Sequence, residues 1–129
     1  MTKRVLVVED NDLNLKLFCD LLKAHGFEPD PVRDARDALA RAQDARPDLI
    51  IMDIQMPHIN GLDLIAAVRS DDALGATPIM SVTAYAGKGD EDRIREAGAD
   101  AFVSKPITLA RFVQSVEDLS ALADRRMPG

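Results

Sequence analysis

The stretch Leu49-Ile50-Ile51-Met52-Asp53 decides the fold. Four consecutive apolar residues give way abruptly to a carboxylate. A loop rich in turn formers follows, Gln55-Met56-Pro57-His58-Ile59-Asn60-Gly61. An apolar run this short, with no polar alternation, suits a strand buried on both faces, as in a parallel sheet covered by helices. The pattern recurs outward in both directions. Residues 5–8 are Val-Leu-Val-Val and end in Glu9-Asp10-Asn11. Residues 79–82, opened by Pro78, end in Thr83, and residues 101–103 end in Ser104-Lys105-Pro106. Residues 27–32 form a further strand that carries Pro29 and Pro31. Proline cannot donate into a ladder, so that strand belongs at a sheet edge.

Helical patterns fill the gaps. Residues 13–25 place Leu17, Phe18, Leu21 and Leu22 on one face, and Gly26 supplies the stop. Asp34 caps a helix running to about residue 45, with Ala35, Ala38, Leu39 and Ala42 inward. Residues 62–69 carry Leu62, Ile65 and Val68 on a face. Residues 88–98 are polar, with little to bury beyond Ile94 and Ala97. After Thr108 the residues Leu109, Phe112, Val113, Val116, Leu119 and Leu122 recur at helical spacing. Five strands alternating with five helices predict an α/β protein with a doubly wound parallel sheet. The expected strand order is the flavodoxin-like 2-1-3-4-5, which puts the proline-bearing second strand at an edge.

Composition narrows the function classes. The 129 residues suit one domain, read as residues 1–123 with a short polar tail at 124–129. Sixteen basic residues stand against 22 acidic, a net charge of −6, so a nucleic-acid surface and a polybasic membrane patch are both disfavoured. Cys19 is the single cysteine, so there is no internal disulfide and no CxxC pair for zinc. The apolar run after Met1-Thr2-Lys3-Arg4 is too short for a signal peptide or a membrane span. The expectation is a cytoplasmic, reduced protein without membrane insertion, a monomer or weak dimer.

Glu9, Asp10, Asp53, Thr83 and Lys105 all follow apolar strand runs. Taken singly, each has an ordinary explanation. The aspartates and Thr83 would be turn or cap residues, and Lys105 a solvated lysine. Taken together they are harder to dismiss. The carboxyl ends of parallel strands share one rim, where open α/β sheets bind their ligands. Three carboxylates in one pocket repel unless a cation compensates. Oxygen-only ligands point to Mg²⁺, or Mn²⁺, with Asp10 and Asp53 direct, Glu9 through water and the Gln55 backbone carbonyl completing the set. A carboxylate beside such an ion and a lysine is a plausible phosphoryl acceptor. Lys105, the metal and the Thr83 hydroxyl could each neutralise one phosphoryl oxygen. Ala84 is small enough to admit a donor. Gln55 and Tyr85 flank the site and could tune water access. His25, His58 and Cys19 read as surface, loop and helix residues without a role.

The motifs Val7-Val8-Glu9-Asp10-Asn11, Ile51-Met52-Asp53-Ile54-Gln55-Met56-Pro57 with Gly61, Val82-Thr83-Ala84 and Ser104-Lys105-Pro106 together resemble the receiver domain of bacterial response regulators, a CheY-like superfamily. The resemblance covers essentially the whole chain. It implies that Asp53 accepts a phosphoryl group from a histidine kinase or a phosphotransfer protein, with Mg²⁺ at Glu9, Asp10 and Asp53. It implies that Thr83 and Lys105 sense the phosphate, and that the Lys105–Pro106 bond is cis. The aromatic switch position matches Phe102, where many receivers carry tyrosine. The family's signalling surface corresponds to residues 88–123, where a downstream kinase or adaptor is expected to bind. Within the family, the chain resembles stand-alone regulators of the cell cycle and cell division, and the resemblance implies recruitment to cell poles by partners. No output domain follows in the sequence, so the expected readout is altered protein–protein binding rather than enzymatic turnover.

Three other readings compete. One is a stand-alone receiver in chemotaxis or stress signalling. Another is a kinase-binding adaptor that acts without phosphorylation. The third is a haloacid-dehalogenase-type phosphatase, which needs an acid two residues after the nucleophile, where this chain has Gln55. A flavin-binding flavodoxin is disfavoured because Glu9-Asp10 would repel the flavin phosphate.

Overall fold

The computed structural model describes residues 2–84 and 88–126. The elements are β1 (Arg4–Val8), α1 (Asp12–Ala24), β2 (Glu28–Val32), α2 (Ala35–Ala45), β3 (Leu49–Asp53), α3 (Gly61–Ser70), β4 (Ile79–Thr83), α4 (Lys88–Ala97), β5 (Ala101–Ser104) and α5 (Leu109–Arg126). The sheet is parallel throughout, in the order β2-β1-β3-β4-β5. This is the expected doubly wound α/β fold.

Strand residues alternate between two cores, as a period of two demands. Val5, Val7, Leu49, Ile51, Met80 and Val82 pack against α1 and α5. Leu6, Val8, Ile50, Met52 and Ile79 pack against α2, α3 and α4. Across the first core, Phe18 of α1 stacks on Phe112 of α5 with centroids 4.9 Å apart. β2 is an edge strand. Glu28 donates its N–H to Lys3 and Val32 accepts from Glu9, so residues 28, 30 and 32 face β1. Pro29 and Pro31 therefore turn to the open side, where no ladder bond is lost.

Two helix faces differ from expectation. In α1 the buried residues are Leu15, Phe18 and Leu22, whereas Leu17 is 40% exposed. The helix is rotated so that Leu15, one turn before Cys19, lies over the sheet. In α5, Leu109 is 57% exposed, and burial begins at Phe112. Asp53 and Thr83 are themselves the last residues of their strands, not the residues after them.

α5 also runs to Arg126, past residue 123, where the sequence reading ended the domain. The extra turn is held from the far end of the sheet. Arg126 bonds both carboxylate oxygens of Asp100 (2.7 and 3.2 Å), and Arg69 of α3 meets the same carboxylate at 2.6 Å. Asp100 also accepts the Ile79 N–H at 2.9 Å, so one carboxylate ties α3, β4 and α5 together. Residues 127–129 of the expected tail lie outside the described residues.

Gly61 is required by a close approach. A Cβ there would lie 2.5 Å from Ile54 Cα and 2.8 Å from the Ile54 carbonyl oxygen, both of them backbone atoms that cannot rotate away. The contact seats the N-terminus of α3 against the loop leaving Asp53, and Asn60 caps that helix through Leu62 N–H at 2.8 Å. Gly61→Ala is expected to cost about 1–3 kcal/mol as an overpacking strain. Urea denaturation measures it, and a midpoint equal to wild type would contradict the assigned contact.

Candidate functional site

The sheet's carboxyl edge gathers the strand ends. Val8 lies level with Met52, Asp53 with Val82, and Thr83 with Ser104. Residues more than 90 positions apart in the chain are thus brought to one rim.

Glu9 leaves β1 only 1% exposed. Its Oε1 accepts a bond from the Asn14 carboxamide at 3.2 Å, and the Lys105 ammonium lies 3.8 Å away. Its Oε2 is buried and accepts from no donor among the described residues. Asp53, 3% exposed, uses both oxygens. Oδ1 accepts the Gln55 N–H at 2.9 Å, and Oδ2 accepts from Lys105 Nζ at 2.8 Å. Asp10 is exposed at the mouth. One carboxylate oxygen from each of Glu9, Asp10 and Asp53 lies within 4.8 Å of the others. Thr83 is buried at the end of β4, and its carbonyl accepts the Lys105 N–H at 2.7 Å. The Lys105–Pro106 peptide is cis.

The electrostatics follow from that crowding. Burial, and then the neighbouring Asp53 carboxylate, which accepts from the protonated Glu9 and repels the ionised one, push Glu9 up from 4.5 to about 7. Burial works against the Lys105 ammonium, but the bond to Asp53 and the charges of Asp53, Glu9 and Asp10 outweigh it and raise its pKa. One lysine faces three acids. A divalent cation would supply the missing positive charge, and the unpartnered Glu9 Oε2 is a donor atom left over for it or for its water.

Of the residues singled out in the sequence, Glu9, Asp10, Asp53 and Lys105 converge directly, and Thr83 stands at the adjacent strand end. Phe102 sits on β5 level with Ser81, half-buried against the core that holds Ile94. Tyr85 lies outside the described residues. Asn14 was not anticipated as a partner of Glu9. The Asn11 side chain caps α1 by accepting the Asn14 N–H at 3.0 Å, which turns the helix's first turn back over the end of β1. Gln55 was expected to flank the site, but not this contact: its Oε1 accepts the Ala84 N–H at 3.2 Å.

Comparison with known proteins finds relatives over most of the chain. The family model described as response regulator receiver domain matches residues 5–117. The polar-differentiation response regulator DivK of Brucella anthropi is 48% identical over 117 residues, spanning 91% of this chain and 95% of that protein. DivK of Brucella ovis is 47% identical over the same length and the same shares. The chemotaxis response regulator CheY4 of Vibrio cholerae superposes with a TM-score of 0.87 at 28% identity, over 92% of this chain and 99% of that one. The signal receiver domain of a histidine kinase from Syntrophus aciditrophicus gives 0.87 at 28% identity, over 99% and 96%.

Proposed function

We propose a function from one premise: this chain belongs to the response regulator receiver family. That family signals rather than turning over substrate. The chain's likeness to DivK over 95% of that protein's length supports a DivK-like, single-domain regulator in cell-cycle and polarity control. Asp53 is the proposed phosphoacceptor. Its carboxylate oxygen attacks the phosphorus of a phosphohistidine on a kinase or phosphotransfer protein. The P–O bond forms as the P–N bond breaks, and the imidazole leaves with the electron pair and takes a proton from water. The single observation that carries the reading is the Asp53 carboxylate itself, buried, held at both oxygens and 2.8 Å from an ammonium, with two more acids beside it.

Each side chain has a part. The Gln55 N–H orients Asp53, and Lys105 neutralises a transferring oxygen. The Thr83 hydroxyl reaches the phosphoryl group by moving toward it. Glu9, Asp10, Asp53 and the Gln55 carbonyl would hold Mg²⁺, which when bound supplies charge neutralisation to the phosphoryl oxygens. The added charge is read at residues 88–123, with Phe102 following Thr83, and changes affinity for a downstream kinase or adaptor. Coupling of about 1–3 kcal/mol is typical, hence a shift in partner occupancy. No helix among the described residues is long and apolar enough to cross a membrane. The proposed setting, a cytoplasmic regulator drawn to cell poles by its partners, rests on the likeness to polar-differentiation response regulators.

Incubation with acetyl phosphate and Mg²⁺ tests the reading. One hydroxylamine-sensitive phosphoryl group per chain is expected, and none when a chelator replaces the metal. Failure of the wild type to label with acetyl phosphate or with any phosphorylated kinase would end it.

A further inference from the structure

The peptide plane between Thr83 and Ala84 is pinned at both ends. Its carbonyl accepts the backbone N–H of Lys105 at 2.7 Å. Its N–H, on Ala84, donates to the Gln55 carboxamide at 3.2 Å. A peptide unit is rigid, so neither end turns without the other. The two bonds are unequal. The first is short and continues the β4–β5 ladder, whereas the second is long and reaches a side chain. The orientation of the carboxamide is fixed, because a backbone N–H only donates and so must face the oxygen. That choice buries Gln55 Nε2 with no partner among the described residues. A carboxamide held with its own donor unsatisfied is a marginal anchor.

Resting on the phosphoacceptor reading, we infer that the Gln55 side chain is a resting-state latch on the Thr83–Ala84 peptide. Gln55 is a positioning residue with two separate grips. Its backbone N–H holds Asp53 Oδ1 at 2.9 Å, and its side chain holds the strand end that carries the Thr83 hydroxyl. Movement of Thr83 toward a phosphorylated Asp53 turns the pinned plane, and the Gln55 bond is the one that gives. Gln55 therefore sets how readily the switch is thrown, separately from how fast Asp53 reacts.

Gln55→Met keeps the side chain's length and removes the acceptor, while Gln55→Glu keeps an acceptor oxygen. In ¹⁵N-labelled protein at saturating Mg²⁺, the Ala84 amide of Gln55→Met is expected to exchange about fivefold faster, the worth of one neutral hydrogen bond. Beryllofluoride, the phosphoryl mimic used as probe, is expected to bind the same variant about fivefold tighter, because a bond that opposes switching is gone. Gln55→Glu is expected to retain the slow Ala84 exchange. Unchanged exchange in Gln55→Met, or weaker beryllofluoride binding, overturns the latch. A wild type that binds no beryllofluoride at all overturns the phosphoacceptor reading instead, and the latch with it.

Discussion

Asp53→Asn is expected to abolish phosphoryl labelling by acetyl phosphate while leaving the fold intact. The amide offers no nucleophilic oxygen, and no other group in the cluster replaces it. Glu9 is buried with Oε1 engaged by Asn14, and Asp10 stands exposed at the rim with no ion pair among the described residues. Only Asp53 combines a carboxylate with a lysine contact at 2.8 Å and a backbone donor. The substitution has a second consequence. Lys105 loses its nearer partner and keeps Glu9 at 3.8 Å. Glu9 loses two of the three influences that raise its pKa, since after burial they are the hydrogen bond and the charge of Asp53. Its titration should therefore fall below about 7. Carboxyl ¹³C shifts followed against pH measure this, and Asp10→Asn serves as comparison because it removes an acid but not the acceptor. Residual labelling of Asp53→Asn would place the acceptor elsewhere. A Glu9 titration left near 7 would show that burial alone governs it.

How far the chain could be read without coordinates depends on how local each determinant is. Four short runs, apolar except for Ser81, identified β1, β3, β4 and β5, because a strand covered on both faces leaves little room for polar residues. The carboxylates, Thr83 and Lys105 that terminate those runs then followed from the shared rim of a parallel sheet. The orientation of α1 was less accessible. Leu13, Leu15, Leu17, Leu21 and Leu22 crowd one helix, and composition does not say which of them meets the sheet. The capping turn from Asn11 to Asn14 does, and it selects Leu15 over Leu17. The cluster of Arg69, Asp100 and Arg126 was invisible because its members lie on α3, on the loop before β5 and on α5, and none sits at the functional rim. Gln55 was expected to flank the site, but the partner of its carboxamide escaped notice for a related reason. Its partner is a backbone N–H 29 residues away, and backbone donors carry no mark in a sequence.

Glu9 also predicts how stability, pH and metal are linked. In the metal-free protein, stability is expected to fall as pH rises from about 5 to 7. The folded state holds the Glu9 proton up to about 7, while the unfolded chain releases it near the ordinary 4.5. Across that window the folded state binds more protons, so raising the pH favours unfolding. The shift corresponds to at most about 3–4 kcal/mol at about 1.4 kcal/mol per unit. Carboxylates held low, such as Asp34 beside Arg36 at about 2, act below this window with the opposite sign. A divalent cation should reverse the trend. It binds the deprotonated cluster, so its apparent affinity should rise nearly tenfold per pH unit below 7 and level off above. Urea midpoints at pH 5, 6, 7 and 8, with chelator or with Mg²⁺, separate the two regimes. Glu9→Gln, which keeps the shape and removes the titration, should flatten the chelator profile. If wild type with chelator is already flat from pH 5 to 7, Glu9 is ionised throughout. The ammonium of Lys105 would then be enough to balance the buried acids, and the physical case for a resident cation would lose its main support.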